Sequence, residues 1–178
     1  MSATPSKRAS VLVALALACG LAAGCSGGAQ LPALGGGPVS YSSSSVFKPT
    51  GYNDTRLDDT HFQVRASGDA KTPPARLEKM ALVRAAEIGV EEKLDWFKVE
   101  GAETGLDCGK KVEGYKGPGT KPTPIRTLRL RVAYAKTQVD PTYQKADTTF
   151  ASAKAELDAD AATADAASEA ELKQACGK

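Results

Sequence analysis

Residues 127–134 read TLRLRVAY and show the clearest alternation of apolar and polar side chains in the chain. The apolar positions are Leu128, Leu130, Val132 and Tyr134, and the positions between them are Arg129, Arg131 and Ala133. Side chains of a strand point alternately to the two faces of a sheet. The segment therefore predicts a strand with one buried face, and neighbouring segments must supply the elements that cover it.

Three further strands and one helix are predicted upstream. Residues 52–66 form two extended stretches around a turn at residues 57–60, and every second residue from Phe62 to Ala66 is apolar. A helix is predicted over residues 72–93, and another strand over residues 95–100. The order β-β-α-β-β predicts an α+β fold with one helix on one face of a small, mostly antiparallel sheet of about four strands.

The opposite face of the predicted sheet is polar and mostly basic. We expect it to be solvated or to face a partner, and its residues are Gln63, Arg65, Lys98, Arg129 and Arg131.

The predicted helix begins after Thr72, a suitable N-cap, and carries apolar residues on two sides. One strip consists of Leu77, Met80, Ala81, Ala85 and Ile88, and the second of Leu82, Val83, Ala86 and Val90. The C-terminal segment is the only large element able to cover the second strip. Arg84 and Glu87 are three residues apart, a spacing that predicts a structural ion pair, which we favour over a ligand site.

Residues 138–178 form an Ala-rich extension predicted to be helical from Asp140 and Pro141 onward, after a domain spanning residues 46–137. An apolar heptad seam runs through Tyr143, Phe150, Leu157 and Ala164. The next heptad position is Glu171, which favours docking or fraying over a self-associating coil. The sequence leaves the oligomeric state open.

The N-terminal 24 residues have the three parts of an export signal. A basic region with Lys7 and Arg8 precedes an apolar run over residues 11–18, and small residues lead up to Cys25. The apolar run is shorter than the roughly 20 residues that a membrane-spanning helix requires. An export signal is therefore predicted to end immediately before Cys25.

Small residues directly before a cysteine resemble the bacterial lipobox, with Leu21 one position further from Cys25 than is usual. The resemblance implies a diacylglycerol thioether on Cys25, cleavage before it, and acylation, palmitate for example, of the new amine. Ser26 resembles the sorting pattern for the outer membrane. The alternatives are modification at Cys19 and an ordinary secretory signal cut near Ala23.

Removal of the signal changes the charge of the chain and exposes a flexible segment. Lys7 and Arg8 are lost, so the 23 basic residues fall to 21 and equal the 21 acidic ones. A neutral chain argues against nucleic acid as a partner. Residues 25–45 then comprise the lipidated cysteine and a tether rich in Gly and Ser.

Cys108 and Cys176 remain as an even pair once Cys19 is removed and Cys25 is lipidated. In an oxidising compartment two such thiols predict a disulfide. A loop of about 70 residues would be closed, contributing on the order of 4 kcal/mol by chain entropy. The alternative is that both are unpaired or that one forms an intermolecular bond.

Residues with catalytic potential are few. His61 is the only histidine, so a periplasmic hydrolase would depend on it as general base. His61 and two neighbouring aspartates lack the converging ligands of a closed metal site. No Gly-rich phosphate loop follows a predicted strand. We therefore predict neither enzymatic activity, cofactor nor metal, and assign no catalytic residue.

Several motifs together resemble a family of uncharacterised proteobacterial lipoproteins of outer-membrane type. The family has a Tyr-centred strand, a Leu-Asp turn and an Arg-Ala-Ala-Glu helix, and the matching segments are residues 51–54, 57–58, 62–64, 81–87 and 95–97. The resemblance implies the fold and the cellular address, and no activity is assigned to the family. The overall layout also resembles the Rcs-type envelope-stress sensor lipoprotein.

These observations lead to one main hypothesis about function. We expect a lipoprotein anchored in the outer membrane through acylated Cys25 and facing the periplasm, with inner-membrane retention or surface exposure as alternatives. Its role would be structural or partner-binding, toward an envelope protein or peptidoglycan. An envelope-stress or redox sensor is the second hypothesis, and the His61 hydrolase is the third.

Overall fold

The computed structural model describes residues 39–109, 124–160 and 166–176 of the chain. The elements are β1 (Gly51–Arg56), β2 (His61–Gly68), α1 (Pro74–Glu92), β3 (Trp96–Asp107), β4 (Ile125–Ala135), β5 (Gln144–Lys145), α2 (Ala146–Ala159) and α3 (Ala166–Ala175). The strands form one sheet in the order β1-β2-β4-β3-β5, with antiparallel pairing throughout. The predicted α+β fold is confirmed, with a fifth short strand and a divided C-terminal helix.

The strand with the clearest alternation, β4, lies at the centre of the sheet between β2 and β3. Its four apolar residues are buried, and Val132 lies opposite Phe62 of β2 and Val99 of β3. Tyr134 packs edge-on against the Phe62 ring, and its hydroxyl donates to the carbonyl of Ala85 in α1. β4 thus joins the sheet to the helix above it.

Helix α1 has different ends from those predicted. Its N-cap is Pro73, and Thr72 donates through its hydroxyl to Asp69 instead of capping the helix. The predicted Thr72 cap is wrong because the hydroxyl already serves the preceding turn. At the other end Lys93 adopts a left-handed conformation with φ of 58°. The backbone N–H of Leu94 then bonds to the carbonyl of Gly89, which closes the helix.

Helix α2 covers the second apolar strip of α1. Ala146, Ala153 and Leu157 are buried, as are Val83 and Ala86 opposite, so the C-terminal segment docks on the domain. The two helices approach closely, because a Cβ on Gly89 would lie 2.7 Å from the Cβ of Ala146. Not all of the strip is covered, since Val90 remains exposed.

The C-terminal segment becomes helical later than predicted and ends its first helix early. Asp140 accepts a hydrogen bond from the backbone N–H of Thr142, which forms a turn instead of a helix start. β5 then pairs with Trp96 and Phe97 of β3 before α2 begins. The single predicted helix is instead α2 and α3, and Ala164 of the predicted seam lies outside the described residues.

Packing also begins earlier than the predicted boundary at Val46. Val39 is buried, and Tyr41 stacks on Tyr52 with ring centroids 4.5 Å apart. Ser44 donates through its backbone N–H to the carbonyl of Tyr52 in β1. The end of the predicted tether therefore belongs to the domain, whereas the export signal and Cys25 lie outside the described residues.

Candidate functional site at the disulfide end of the sheet

The second half of β3 extends into what was predicted to be a loop. After an irregularity between Val99 and Gly101, residues 101–107 pair with β4 in continuous antiparallel register. This stretch is poor in residues that favour strands, so its conformation depends on the ladder with β4. Thr104 and Leu106 lie opposite Leu128 and Arg126, on the face that α1 covers elsewhere, and Leu106 is 41% exposed.

Helix α3 lies at this end of the sheet, beside the start of α1. Cys108 and Cys176, the pair identified by cysteine counting, form a disulfide with their Cα atoms 5.4 Å apart. Leu172 is buried, and Glu171 pairs with Arg126 at 2.8 Å between Oε2 and Nη2. The covalent bond, one apolar side chain and one ion pair thus connect α3 to the sheet.

A cleft of about 260 Å³ lies between β3, β4, the start of α1 and α3. Four leucines form its apolar floor: Leu77, Leu106, Leu128 and Leu172. Arg126 and Glu171 form part of its rim. Pockets for drug-sized ligands occupy roughly 300–1,000 Å³. The cleft therefore matches a large apolar side chain or a short stretch of hydrocarbon better than it matches a cofactor.

Arg126 supplies an unused polar group next to this apolar floor. Its Nη2 donates to Glu171, but its Nε is buried and has no hydrogen-bond partner among the described residues. A buried N–H without an acceptor is unfavourable by about 1–3 kcal/mol. Arg126 lines the cleft, so its guanidinium can contribute to orienting a bound group.

Sequence reasoning did not identify the cleft or its residues Arg126, Glu171 and Leu172. The one available signal was the spacing of Cys108 and Cys176, which required the end of the chain to lie beside the end of the third strand. Arg126 is distant in sequence from Glu171 and Leu172, and their proximity depends on where α3 docks.

Arg84 and Glu87 lie together, as their spacing predicted, but within a larger network. Arg84 donates to Asp54 at 2.8 Å, to Glu87 at 2.7 Å and to Glu91 at 3.1 Å. Glu87 also accepts a 2.7 Å hydrogen bond from the hydroxyl of Tyr41. The network joins α1, β1 and the segment before β1, and Asp54 and Glu91 were not foreseen because they approach from other turns and strands.

The electrostatics of this network fit a structural role. Burial by itself lowers the pKa of Arg84, but hydrogen bonds to Glu91, Glu87 and Asp54 outweigh it and raise the pKa above its ordinary value. Burial, followed by the hydrogen bond to Glu87, raises the pKa of Tyr41. Arg84 stays charged and Tyr41 stays protonated across the physiological range, so the network is not suited to proton transfer.

His61 lies at the turn between β1 and β2, beside Asp58 and Thr60. Its Nδ1 is 2.9 Å from both carboxylate oxygens of Asp58 and 3.1 Å from the hydroxyl of Thr60. In a catalytic triad the acid and the nucleophile contact different ring nitrogens. Here both contact the same nitrogen, so these three residues do not form a triad.

Asp58 serves the turn instead. Hydrogen bonds from the backbone of Thr60 and from the side chain of His61 lower its pKa to about 2. The carboxylate also accepts from the backbone N–H of His61 at 2.8 Å. Within the part of the chain that the structure describes, no group of three or more His, Cys, Asp or Glu side chains is placed to hold a metal ion.

The polar face of the sheet is partly neutralised. Arg131 lies 3.3 Å from Glu100, measured from Nε to Oε2, and Lys98 lies 3.8 Å from Asp140. Arg65 has a buried Nε without a hydrogen-bond partner in the described ranges. The charges on this face are therefore mixed instead of uniformly basic.

Comparison with known proteins gives no assignment. No family model, no curated protein and no solved structure matches the chain. In residues 39–109, 124–160 and 166–176, no helix combines the length and apolar character needed to cross a bilayer. The site's own geometry and the sequence therefore carry the functional argument.

Proposed function

We propose that this protein is a lipid-anchored, non-catalytic binding protein of the bacterial envelope. Residues 1–24 direct export, and Cys25 carries the lipid that holds the domain at the periplasmic side of the outer membrane. The observation that carries the proposal is the disulfide between Cys108 and Cys176. Disulfides persist in oxidising compartments and are rare in the cytosol.

The disulfide also supports the role of Cys25. With Cys108 and Cys176 paired, a chain cut before Cys25 has a single remaining cysteine, at its first position. A lipid at that position anchors the protein without a spanning helix, because each buried methylene contributes about 0.8 kcal/mol and several acyl chains act together.

The cleft beside the disulfide supports a binding role. It is mainly apolar, open to solvent and bordered by a guanidinium whose Nε has no hydrogen-bond partner among the described residues. An apolar floor favours an apolar side chain of an envelope protein over the hydroxyl-rich strands of peptidoglycan. Arg84, Tyr41 and Asp58 are held in hydrogen-bonded networks that stabilise a helix and a turn, which fits binding better than catalysis.

The anchor is tested with the variants Cys25→Ser and Cys19→Ser, expressed from the full chain. The measurements are the mass of the N-terminal peptide and the distribution between membrane and soluble fractions. We expect the parent and Cys19→Ser to carry an acylated Cys25 in the membrane fraction, and Cys25→Ser to lose both. Unmodified Cys25 in the parent protein would refute the anchor.

The binding role is tested in cells with a photoreactive residue in place of Leu106 in the cleft. Val139, which is 65% exposed and does not line the cleft, provides the matched control position. We expect a discrete protein adduct from position 106 and none from position 139. The same adducts from both positions, or none from either, would contradict a partner at the cleft.

A redox or stress sensor is a second candidate function, favoured by the attachment of α3. One wall of the cleft is formed by Glu171, Leu172 and Ala175, and the disulfide fixes the end of that wall. Reduction would widen the cleft. Under this alternative, Cys108→Ser increases crosslinking from position 106 and alters an envelope-stress response, whereas a constitutive binder shows neither effect.

A further inference from the structure

The turn at residues 45–48 holds two apolar side chains almost entirely in solvent. Val46 is 96% exposed and Phe47 is 99% exposed. The turn is well defined, because the backbone groups of Ser45 and Lys48 exchange two hydrogen bonds, of 2.8 and 3.1 Å. Lys48 also donates through Nζ to the hydroxyl of Ser42 at 2.6 Å. The fold thus presents Val46 and Phe47 outward on a fixed support.

The segment of chain that carries this turn contains almost no charged residues. Between Val39 and Asn53 the only charged residue is Lys48. The next acidic residue, Asp54, is held by the guanidinium of Arg84 at 2.8 Å. An aromatic side chain followed by a lysine, with no adjacent carboxylate, is typical of segments that enter the interface of an anionic membrane.

The turn is also close to the proposed anchor along the chain. Thirteen residues lie between Cys25 and the buried Val39, and the Gly-rich tether predicted there would have a root-mean-square span of about 20 Å. The first packed segment leads directly into the turn. An anchor at Cys25 therefore keeps Val46 and Phe47 near the lipid headgroups.

We propose that Val46 and Phe47 insert into the headgroup region of the membrane that holds the anchor, with Lys48 at the lipid phosphates. The inference rests on the proposed lipid anchor. A lipid surface is favoured over a protein because the apolar tip consists of only two side chains, flanked by Ser45 and Lys48. A stable protein interface buries roughly 800 Å² on each partner, far more than two side chains supply.

This insertion would orient the domain. The segment that carries the turn bridges to β1, at one edge of the sheet, whereas the cleft includes β3 and α3 on the other side of β4. With the β1 edge at the lipid, the part of the cleft formed by β3 would lie three strands away across the sheet. A partner in the periplasm would then reach it without competition from the bilayer.

The test uses the mature protein as cells produce it from the full chain, reconstituted into vesicles of phosphatidylethanolamine and phosphatidylglycerol. Trp96 is the single tryptophan, so Trp96→Phe gives a silent background for Phe47→Trp. Val139→Trp in the same background is the matched control on an exposed surface. The measurements are tryptophan emission and its quenching by lipids brominated on the acyl chains.

We expect a blue shift and quenching for the tryptophan at position 47 and neither for that at position 139. Replacing Val46 by Ser should weaken vesicle partitioning of the unacylated Cys25→Ser protein roughly tenfold, and Lys48→Glu should abolish its preference for anionic vesicles.

A water-exposed tryptophan at position 47 in an acylated protein would overturn the insertion and leave the anchor intact. An unacylated N-terminus would overturn both, and the peptide mass distinguishes the two outcomes. A photoreactive group at position 47 that captures protein in cells instead of lipid would also overturn the proposal.

Discussion

Helices α2 and α3 follow one another in the chain and have similar Ala-rich sequences, yet the domain holds them in different ways. α2 packs along α1 through Ala146, Ala153 and Leu157, and the guanidinium of Arg76 donates to the carbonyls at its C-terminal end. α3 inserts one large apolar side chain, Leu172, and is tied covalently by Cys176.

The different attachment of α2 and α3 indicates that the two helices have different roles. Packing along a whole helix makes α2 part of the core, because every turn contributes buried area. A covalent bond at one end lets α3 stay in place with little buried area, and it leaves the cleft beside it open. We infer that α2 serves stability and that α3 serves the cleft.

Loss of the disulfide should have the largest effect on this comparison. Cys108→Ser removes the constraint on a 68-residue separation and should lower the free energy of unfolding by about 4 kcal/mol. Urea denaturation measures the loss. Hydrogen exchange should show the amides of α1 and α2 losing no more protection than this global decrease, and the amides of α3 losing more through local opening. Equal loss in α2 and α3 would mean that the two helices form one cooperative unit.

Leu157 and Leu172 provide a matched pair of buried side chains, each 1% exposed. Leu157→Ala should cost about 3 kcal/mol of global stability, because it leaves a cavity between α2 and the core. Leu172→Ala should lower the free energy of unfolding clearly less in the disulfide-intact protein. The truncated side chain borders the open cleft, and α3 can shift to fill part of the space. Equal values in urea denaturation would place α3 in the same core as α2.

The sequence predicted the packed side of the molecule better than the cleft side. Alternation in β4 and the strips on α1 are local patterns, and the apolar residues that they predict are buried, apart from Leu82 and Val90 of the second strip. Residues 101–107 carry no such pattern, because their extended form depends on pairing with β4. Val39 is a lone apolar residue in a polar segment, and its burial depends on contacts distant in sequence.

The candidate site was predictable only in part. Counting cysteines indicated the pair Cys108 and Cys176, because both remain once the predicted export signal and the predicted lipidation of Cys25 are taken into account. It did not indicate that Arg126 and Glu171 would meet, since neither the break between α2 and α3 nor the position of Leu172 has a local signal.

Arg76 offers a third test, because its guanidinium serves α2 and the N-terminal segment but not α3. It donates to the carbonyl of Val39 at 2.9 Å and to that of Asp160 at 3.3 Å. Arg76→Met retains much of the apolar stem but leaves these acceptors unpaired, which should cost roughly 2 kcal/mol in urea denaturation. Lys79→Met, which removes a half-exposed pairing with Asp160, is the control and should cost little. An equally small loss for Arg76→Met would show that packing alone holds α2.

Acid titration should give the smallest effect and the most local one. Hydrogen bonding and charge interaction with Lys173, followed by the charge of Lys71, lower the pKa of Glu169 in α3. Because the pKa of Glu169 is lower in the folded state, its ionised carboxylate stabilises the fold at any pH above the unfolded-state pKa, which is near 4.3. This stabilisation is lost as the pH falls through the folded-state pKa. Reduction of the disulfide should move α3 away from Lys71, so the pKa of Glu169 should rise slightly toward its ordinary value.

Asp147 in the first turn of α2 is the internal control for that titration. Hydrogen bonds from Lys145 and Thr148, both on neighbouring residues, lower its pKa. These partners move with α2, so reduction should leave the pKa of Asp147 unchanged. Carboxyl carbon shifts followed by NMR in the oxidised and reduced protein measure both groups in one experiment. A change in the pKa of Asp147 as large as that of Glu169 would show that the disulfide also controls the position of α2. A change at Glu169 alone would show that α3 is the part of the extension that moves when the disulfide is reduced.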